Sequence, residues 1–187
     1  MSQHDVFLLL GSNINKKENI TAAITLLCRY TSVQAVSPIY ESAPVGTRNQ
    51  PAFYNGVVHI QTELKPDQIK LNIIQPIEQR LKRVRTADKN GPRTIDIDIL
   101  LFNQAVMTYA QGRKRLPDED ILKYAHVAVP LAELIPQVYH PQTKQTFEEI
   151  AGQHPKDGLQ KLHPNTLTGI EIGCDPTLIS SKTNLSQ

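Results

Sequence analysis

Residues 94–102 constrain the fold more than any other part of this chain. Polar and apolar residues alternate along this segment, as side chains do on the two faces of a β-strand. Asp96 and Asp98 therefore share one face with Thr94, and three isoleucines share the other, namely Ile95, Ile97 and Ile99. Such alternation is typical of a strand that has a core behind it and water or a ligand in front of the aspartates.

The residues before this strand are rich in positive charge and end in a Gly91-Pro92 turn. Only Asp88 opposes six cationic side chains there: Arg80, Lys82, Arg83, Arg85, Lys89 and Arg93. Neighbouring carboxylates repel each other, and Mg²⁺ relieves that repulsion while keeping room for phosphate. Arginine forks suit phosphate oxygens. The combination favours a phosphoryl-transfer site, with an ordinary solvated strand beside a charged loop as the structural alternative.

The composition limits the function mainly by exclusion. A chain of 187 residues with 40% hydrophobic content supports one substantial core. A net charge of +2 argues against a dedicated nucleic-acid binder. The sequence has no apolar run long enough to cross a bilayer, and its first residues do not resemble a secretory signal. We therefore expect a cytoplasmic monomer that acts on small molecules and has no nucleic-acid or membrane partner.

The order of the predicted elements indicates the fold class. Hydrophobic patterns predict strands at 6–10, 33–40, 53–62 and 94–102, and helices at 16–30 and from 66 towards 83. Pro38 marks an edge strand or a change of strand partner, and Pro76 predicts a kink in the second helix. The order β-α-β-β-α-β is the ferredoxin-like pattern. We therefore predict an α+β fold, with helices packed on an antiparallel-rich sheet.

The remaining segments are less regular. Residues 111–115 are typical of a turn, and the apolar residues 127–134 are expected to pack on the sheet, with a helix start near Pro130. Loops 42–51 and 86–92 are predicted lids, because glycine and short polar residues favour mobility. The first domain is predicted to cover residues 1–151. Residues 152–187 then form a polar, poorly ordered extension, in which only 167–172 favours a strand.

Several motifs together resemble the 6-hydroxymethyl-7,8-dihydropterin pyrophosphokinase family of folate biosynthesis, over roughly residues 6–150. The longest matching string runs from Gly91 to Phe102. Shorter matches are Gly11-Ser12-Asn13, Ser42-Ala43-Pro44-Val45-Gly46, Phe53-Tyr54-Asn55, Arg83-Val84-Arg85 and Val129-Pro130-Leu131-Ala132-Glu133, with Gln75 and Glu78 as single residues. Members of that family transfer the β,γ-diphosphoryl group of ATP to the pterin hydroxymethyl oxygen and release AMP, so the resemblance implies the same reaction here.

The resemblance also implies roles on the phosphate side. Asp96 and Asp98 would bind two Mg²⁺ ions that bridge the triphosphate, while Arg83 and Arg93 would neutralise the transferred charge. These four residues form the predicted catalytic set. Positioning and charge neutralisation are also what phosphoryl transfer requires physically. The predicted ATP site comprises Gln75, Glu78, Arg83, Arg85, Arg93 and Ile99.

The pterin needs a flat slot and a mixed hydrogen-bonding edge. Asn55 carries a donor and an acceptor on one amide, and Phe53 shares its strand face, where it would either stack on the ring or pack in the core. By the resemblance, the predicted pterin site comprises Ser42, Ala43, Val45, Phe53, Asn55 and His126.

The chain departs from the family pattern beside this site. Asp118 stands where members commonly have histidine, Tyr124 where they have arginine, and His126 where they have an aromatic residue. Lys89 and Asn90 also differ from some members. By the resemblance, the absent histidine and arginine would each have contacted a phosphate on the nucleotide side. Three nearby cations either compensate for this loss or are surface charge: Arg113, Lys114 and Arg115.

Two other functions remain open. One is a different Mg²⁺-dependent phosphoryl or nucleotidyl transferase that acts on a related pterin or another flat heterocycle. The other is a nucleic-acid-binding module that uses the basic segment 80–93, with affinity that falls steeply with salt. The second leaves Asp96 and Asp98 unexplained, because carboxylates repel phosphates.

Overall fold

The computed structural model describes residues 3–46, 49–85, 91–155 and 158–163. The strands are β1 (His4–Ser12), β2 (Ser32–Val36), β3 (Tyr40–Ser42), β4 (Phe53–Thr62), β5 (Asp96–Phe102), β6 (Met107–Tyr109), β7 (Lys114–Leu116) and β8 (Leu159–Lys161). The helices are α1 (Lys16–Tyr30), α2 (Pro66–Ile69), α3 (Gln75–Arg80), α4 (Asp120–Lys123), α5 (Ala125–Leu134) and α6 (Phe147–Gly152). The predicted strand at 167–172 and most of the predicted lid at 86–92 lie outside the described residues.

One antiparallel sheet organises the molecule. Its strand order is β5-β1-β4-β3-β8, and β2 also pairs with β4. Leu9 of β1 lies opposite Val57 of β4 on one side and opposite Asp98 of β5 on the other. The predicted β-α-β-β-α-β order and the α+β, ferredoxin-like class are confirmed. Within the described residues, no helix is long and apolar enough to span a membrane.

The predicted strand at 33–40 is interrupted, and the interruption falls at Pro38. Proline has no N–H to donate to a sheet, so the chain forms two short strands, β2 and β3, in place of one. Both strands pair with β4, which means that the partner does not change. Ser37 lies between β2 and β3, and its backbone N–H donates to Val57 O of β4 at 2.9 Å.

Helices cover both faces of the sheet, which confirms the prediction that helices pack on it. On one face, buried residues of α1, α2 and α3 form a core with Leu8 and Ile97. On the other face, α5 and α6 pack over Phe7, Val57 and Leu100. Asp96 and Asp98 are on the same face of β5 as Leu100, where that second layer ends. The polar side chains therefore occupy only one end of a face that is otherwise buried.

The helix predicted from residue 66 exists, and it ends at Arg80. Its irregularity is a π-helical turn, Lys70–Ile74, which lies directly before the α3 residues Gln75 and Pro76. Proline cannot donate to the carbonyl four residues earlier, and a wider turn is a known way to absorb such a defect. The predicted kink at Pro76 stays a prediction, and the structure shows a π-helical turn directly before it.

Two further expectations are corrected. Residues 111–115 are not all turn, because Lys114 and Arg115 belong to β7, which pairs with β6 as a hairpin. Pro130 lies inside α5 and not near its start, since the helix begins at Ala125.

The C-terminal segment contributes a strand that the sequence analysis did not predict. β8 pairs with β3, so that Leu159 lies opposite Ser42 and Lys161 opposite Tyr40. Lys161 Nζ is 2.8 Å from Glu133 Oε1, which ties the strand to α5. The start of the predicted extension is therefore part of the sheet, while the domain boundary at 151/152 remains a prediction.

Candidate active site

A cleft of about 200 Å³ opens where the α5 layer ends. Its floor consists of residues from β1, β3, β4 and β5 and the segments beside them: Leu9, Gly11, Ser42, Ala43, Val45, Phe53, Asn55, Arg93, Asp96 and Asp98. Its roof is formed by Asp120, Tyr124 and His126 of α4 and α5. Residues that are far apart in sequence thus share one cleft, including three of the four predicted catalytic residues and all six predicted pterin contacts.

The two aspartates lie side by side on β5 and are both partly buried, with side chains 23% and 29% exposed. Each already has a cationic partner. Asp96 accepts a hydrogen bond from Nη1 of Arg93, and Asp98 Oδ1 lies 3.0 Å from Lys114 Nζ. Burial acts to raise the pKa of Asp98, but attraction to Lys114 and Lys70 outweighs it, so the pKa lies below its usual value. Asp98 is therefore held as a carboxylate.

The Gly11-Ser12-Asn13 motif fixes the segment that carries Arg93. Asn13 Oδ1 accepts from Arg93 N at 2.7 Å, and Asn13 N donates to Arg93 O at 3.1 Å. Ser12 Oγ donates to Thr94 O at 2.5 Å. These bonds join the end of β1 to the start of β5, so Arg93 enters the cleft from a restrained backbone. Its guanidinium carbon also lies 5.7 Å from the centre of the Phe53 ring, within cation–π range.

Arg83 approaches the same carboxylate from behind. Its Nε is 3.9 Å from Asp96 Oδ1, and its side chain is 10% exposed. Burial lowers the pKa of Arg83, against the opposing effect of Asp96. Arg83 Nε and Thr94 Oγ1 are buried and have no hydrogen-bond partner among the described residues. Unpaired buried polar atoms cost about 1–3 kcal/mol each, and phosphate oxygens are well suited to satisfy the arginine.

The other predicted nucleotide residues do not line the cleft. Glu78 is 4% exposed, pairs with Arg85 at 2.9 Å and accepts from Ile97 N at 3.3 Å. It therefore links α3 to β5 beneath the aspartates. The side chain of Ile99 is wholly buried in the core. The roles of Gln75, Glu78, Arg85 and Ile99 towards ATP remain predictions, and the structure assigns Glu78 and Ile99 clear packing functions.

Asn55 lies on the floor of the cleft and is 4% exposed. Its Nδ2 donates to Ser42 Oγ at 2.9 Å, because β3 and β4 bring these residues close. Gly11 lies opposite Asn55 on β1, and a Cβ at Gly11 would lie 3.5 Å from Asn55 Oδ1. Glycine therefore keeps the space beside the amide oxygen open. Phe53 and Val45 complete this end of the floor.

Two rings form part of the roof. Tyr124 and His126 are stacked, with centroids 5.3 Å apart and planes at 23°. Burial lowers the pKa of His126 to about 4, and nearby His154 adds a smaller effect in the same direction. The imidazole is therefore neutral at physiological pH. The tyrosine that stands in place of the family's arginine thus lines the cleft as a ring next to His126.

Sequence reasoning missed two residues at the site, Leu9 and Asp120, and left Lys114 among three candidate cations. Leu9 and Asp120 line the cleft, and Lys114 binds Asp98. Alternation along β1 would have placed Leu9 on the same face as Gly11. The acidic run Asp118-Glu119-Asp120 was visible, but only the fold shows that Asp120 turns inwards. Burial raises the pKa of Asp118 to about 6, which the backbone N–H of Asp120 partly opposes.

The donor set was compared with what Mg²⁺ requires. The described residues hold no cluster of three or more His, Cys, Asp or Glu that would form an all-protein metal site. Mg²⁺ commonly takes only one or two carboxylates and completes its shell with water and substrate phosphates. Two adjacent aspartates that face an open cleft fit that mode, although the cations at both carboxylates must give way or share them.

This antiparallel α+β fold places paired carboxylates and Arg93 at one cleft, with Arg83 beside Asp96, and that combination suits the class of phosphoryl-transfer enzymes. The family model for 7,8-dihydro-6-hydroxymethylpterin-pyrophosphokinase matches residues 7–136. This chain belongs to that family.

Curated relatives agree with the assignment. The 2-amino-4-hydroxy-6-hydroxymethyldihydropteridine pyrophosphokinase of Pseudomonas aeruginosa is 37% identical over 84% of this chain and 96% of its own length. The Bacillus subtilis protein of the same name is 39% identical over 76% of this chain and 85% of its own length. The folic acid synthesis protein fol1 of Schizosaccharomyces pombe is 36% identical over 82% of this chain. The chain spans only 21% of that longer protein.

Solved structures share the fold. The HPPK-DHPS protein of Plasmodium falciparum, crystallised with SDX-DHP, superposes with a TM-score of 0.65 at 15% identity. The match covers 81% of this chain and 45% of that one. At this identity the likeness supports the fold only.

Proposed function

We propose that this chain transfers the β,γ-diphosphoryl group of ATP to the hydroxymethyl oxygen of 6-hydroxymethyl-7,8-dihydropterin, which releases AMP. In this reaction the hydroxymethyl oxygen attacks the β-phosphorus and loses its proton. The bond from that phosphorus to the oxygen shared with the α-phosphate breaks, and AMP keeps that oxygen. The observation that carries the proposal is one cleft in which Asp96, Asp98 and Arg93 face Asn55 and Phe53.

Asp96 and Asp98 would hold two Mg²⁺ ions together with the triphosphate. When bound, the metal would neutralise phosphate charge and align the reacting oxygen with phosphorus. The chain itself supplies the rigid support: β1 and β5 hold both carboxylates in register, and Glu78 braces the β5 backbone from below. Pre-organised charge of this kind needs no rearrangement at the moment of reaction.

Arg93 and Arg83 would bind the transferred phosphates. Both side chains are mostly buried, at 15% and 10% exposed, so their charge is less screened than at a surface. Arg93 is paired with Asp96 in the absence of substrate, and its planar fork is able to bind phosphate and carboxylate oxygens together. Arg83 would bring Nε, which has no hydrogen-bond partner among the described residues, to the same phosphate.

The pterin would lie between Asn55 and the roof. The Asn55 amide presents a donor and an acceptor to the ring edge, and backbone groups of Ser42, Ala43 and Val45 would read the remainder of that edge. Phe53 and neutral His126 would contact the ring faces. Such a slot puts the hydroxymethyl group near the aspartates without requiring charge on the pterin.

A second candidate is Mg²⁺-dependent phosphoryl or nucleotidyl transfer to a related pterin or another flat heterocycle. The composition of the roof supports this candidate. Tyr124 and His126 depart from the family pattern, and both line the cleft together with Asp120. The carboxylate of Asp120 would favour a substrate that offers an additional donor.

One assay separates the candidates. Purified protein is incubated with Mg-ATP and 6-hydroxymethyl-7,8-dihydropterin, and the nucleotides are quantified. AMP formed in equal amount to pterin diphosphate supports the proposal. ADP indicates monophosphoryl transfer, and AMP that forms only with another heterocycle supports the second candidate. Omission of Mg²⁺ in the presence of EDTA should abolish AMP formation, and full activity there would contradict the metal assignment.

We also propose that the protein works in the cytoplasm as a monomer on these small molecules, without nucleic acid or membrane. The modest net charge of +2 supports this proposal. Light scattering after size-exclusion chromatography tests it, because a mass near twice 20.9 kDa would indicate a dimer.

A further inference from the structure

Lys114 has no assigned role in the reaction, yet it makes a direct contact with a predicted metal ligand. Its ammonium lies 3.0 Å from Asp98 Oδ1, and the two side chains are 45% and 29% exposed. It is the only protein side chain recorded in a hydrogen bond to Asp98 among the described residues. An Asp98 carboxylate that binds a divalent cation therefore has a competitor within the same chain.

The hairpin of β6 and β7 holds Lys114 in this position. Tyr109 lies opposite Lys114, and Met107 lies opposite Leu116. Tyr109 and Leu116 are buried, at 4% and 1% exposed, so both strands are anchored in the core. Ala110 N donates to Asp67 Oδ1 at 2.7 Å, which fastens the turn to α2. The lysine backbone is thus well supported, while its long side chain remains free to change partner.

The two aspartates are neutralised by cations of different kinds. Asp96 is paired with Arg93, whose guanidinium is a broad, planar fork able to hold two partners at once. Asp98 is paired with Lys114, whose ammonium is a compact point charge on a flexible stem. The half-exposed lysine is the partner that exchanges more easily, because water screens its charge and its long stem is flexible.

We propose, on the basis of the function above, that Lys114 is a resident counter-ion of Asp98 that a divalent cation displaces and that then binds the triphosphate. Without nucleotide, the displaced ammonium loses its carboxylate partner, which weakens metal binding. With nucleotide, phosphate oxygens replace that partner. Metal and nucleotide therefore favour each other's binding, and the coupling is reciprocal.

The test uses Mn²⁺ as a spectroscopic substitute for Mg²⁺, with free Mn²⁺ measured by electron paramagnetic resonance. Binding is measured with and without α,β-methylene-ATP, which cannot release AMP. For Lys114→Met, we expect Mn²⁺ to bind about two- to fivefold more tightly without nucleotide. The enhancement of Mn²⁺ binding by the analogue should decrease by more than that factor, because the phosphate contact is also lost.

Two controls remove the same charge elsewhere. Lys123→Met breaks an exposed lysine–carboxylate pair of similar length, since Lys123 lies 2.9 Å from Glu119. Arg115→Met removes the cation next to Lys114 on β7, where alternation points it to the other face. Both controls should bind Mn²⁺ as the natural chain does. If Arg115→Met changed Mn²⁺ affinity as much as Lys114→Met does, the effect would come from net charge and not from the contact with Asp98. That result would overturn the proposal.

Two further variants separate this inference from the function on which it rests. Lys114→Arg should weaken nucleotide-free Mn²⁺ binding, because the fork holds Asp98 more firmly. If a folded Lys114→Met, judged by an unchanged melting temperature, binds Mn²⁺ as the natural chain does, Lys114 is no counter-ion to the metal site. If Asp98→Asn retains normal Mn²⁺ binding with the analogue, the metal assignment itself fails.

Discussion

The floor and the roof of the cleft are built differently. Floor residues such as Asp96, Asp98 and Asn55 lie on long neighbouring strands, and the register of β1 with β4 and β5 fixes their spacing. Roof residues such as Tyr124 and His126 lie where short α4 meets α5. The floor presents several charged groups and an amide, whereas the roof presents two rings and one carboxylate, Asp120. We infer that the floor determines the reaction and that the roof adjusts the choice of substrate.

The largest effect is expected at the floor, from Asp98→Asn. Loss of this proposed metal ligand should reduce kcat roughly a thousandfold, which corresponds to several kcal/mol of transition-state stabilisation. Initial-rate measurement of AMP release checks this. Asp5→Asn is the matched control, because Asp5 lies on β1 of the same sheet and pairs with His59 at 2.8 Å, away from the cleft. Near-normal turnover by Asp98→Asn would contradict the inference that the floor determines the reaction.

Arg93→Gln should have the next largest effect and should act on kcat. Because the proposed role of its charge is to stabilise the transferred group, we expect kcat to fall about a hundredfold while KM for the pterin changes little. Steady-state kinetics with both substrates varied distinguish the two constants. Arg29→Gln, at an exposed position of α1, controls for loss of charge. Equal damage to kcat and to pterin KM would show that Arg93 positions the pterin instead.

Asn55→Ala should produce the opposite pattern. Removal of a buried amide that pairs with the ring edge leaves substrate groups unsatisfied, so KM for the pterin should rise roughly tenfold or more with a smaller change in kcat. Isothermal titration with the pterin measures the binding directly. Ser42→Ala removes only the hydroxyl that accepts from Asn55, and it should cost less. Unchanged pterin affinity in Asn55→Ala would contradict the proposal that the Asn55 amide binds the pterin edge.

The smallest effect on activity is expected at the roof, from His126→Phe, which keeps a ring. We expect kcat to change less than fivefold, a limit set by the roughly 1 kcal/mol that ring contacts contribute. The pH dependence of folding stability should show a larger effect of His126 than activity does. The folded-state pKa of about 4 lies below the ordinary 6.5, so the unfolded chain binds more protons between these values. Stability that His126 contributes above pH 6.5 is therefore lost as the pH falls towards 4.

Denaturant unfolding at pH 7 and pH 5 measures that loss. Between these values, the natural chain should lose about 1–2 kcal/mol more than His126→Phe does. His140, whose pKa burial also lowers, is present in both proteins and cancels from the comparison. The same pH dependence in both proteins would show that His126 is not held neutral by burial.

Local patterns in the sequence were sufficient for most of the floor. Alternation along 94–102 correctly predicted that Asp96 and Asp98 share a strand face, and the resemblance brought Asn55 and Ser42 to the same site. The roof was predicted only in part, since His126 was included but Asp120 was not. Lys114 was left among three possible cations, because a hairpin's register decides which of them faces β5. The nucleotide roles of Gln75, Glu78, Arg85 and Ile99 stay predictions.

The sequence by itself determined most elements of the first hundred residues, their order and the chemistry of β5, because these depend on periodicity and residue type within short segments. Tertiary structure decided which end of the sheet face stays open, since α5 and α6 bury the remainder. It also decided that β8 joins the edge and that Lys114 meets Asp98. The physical reason is that such contacts join distant segments, and their distances are set by packing of the whole core, which no local pattern contains.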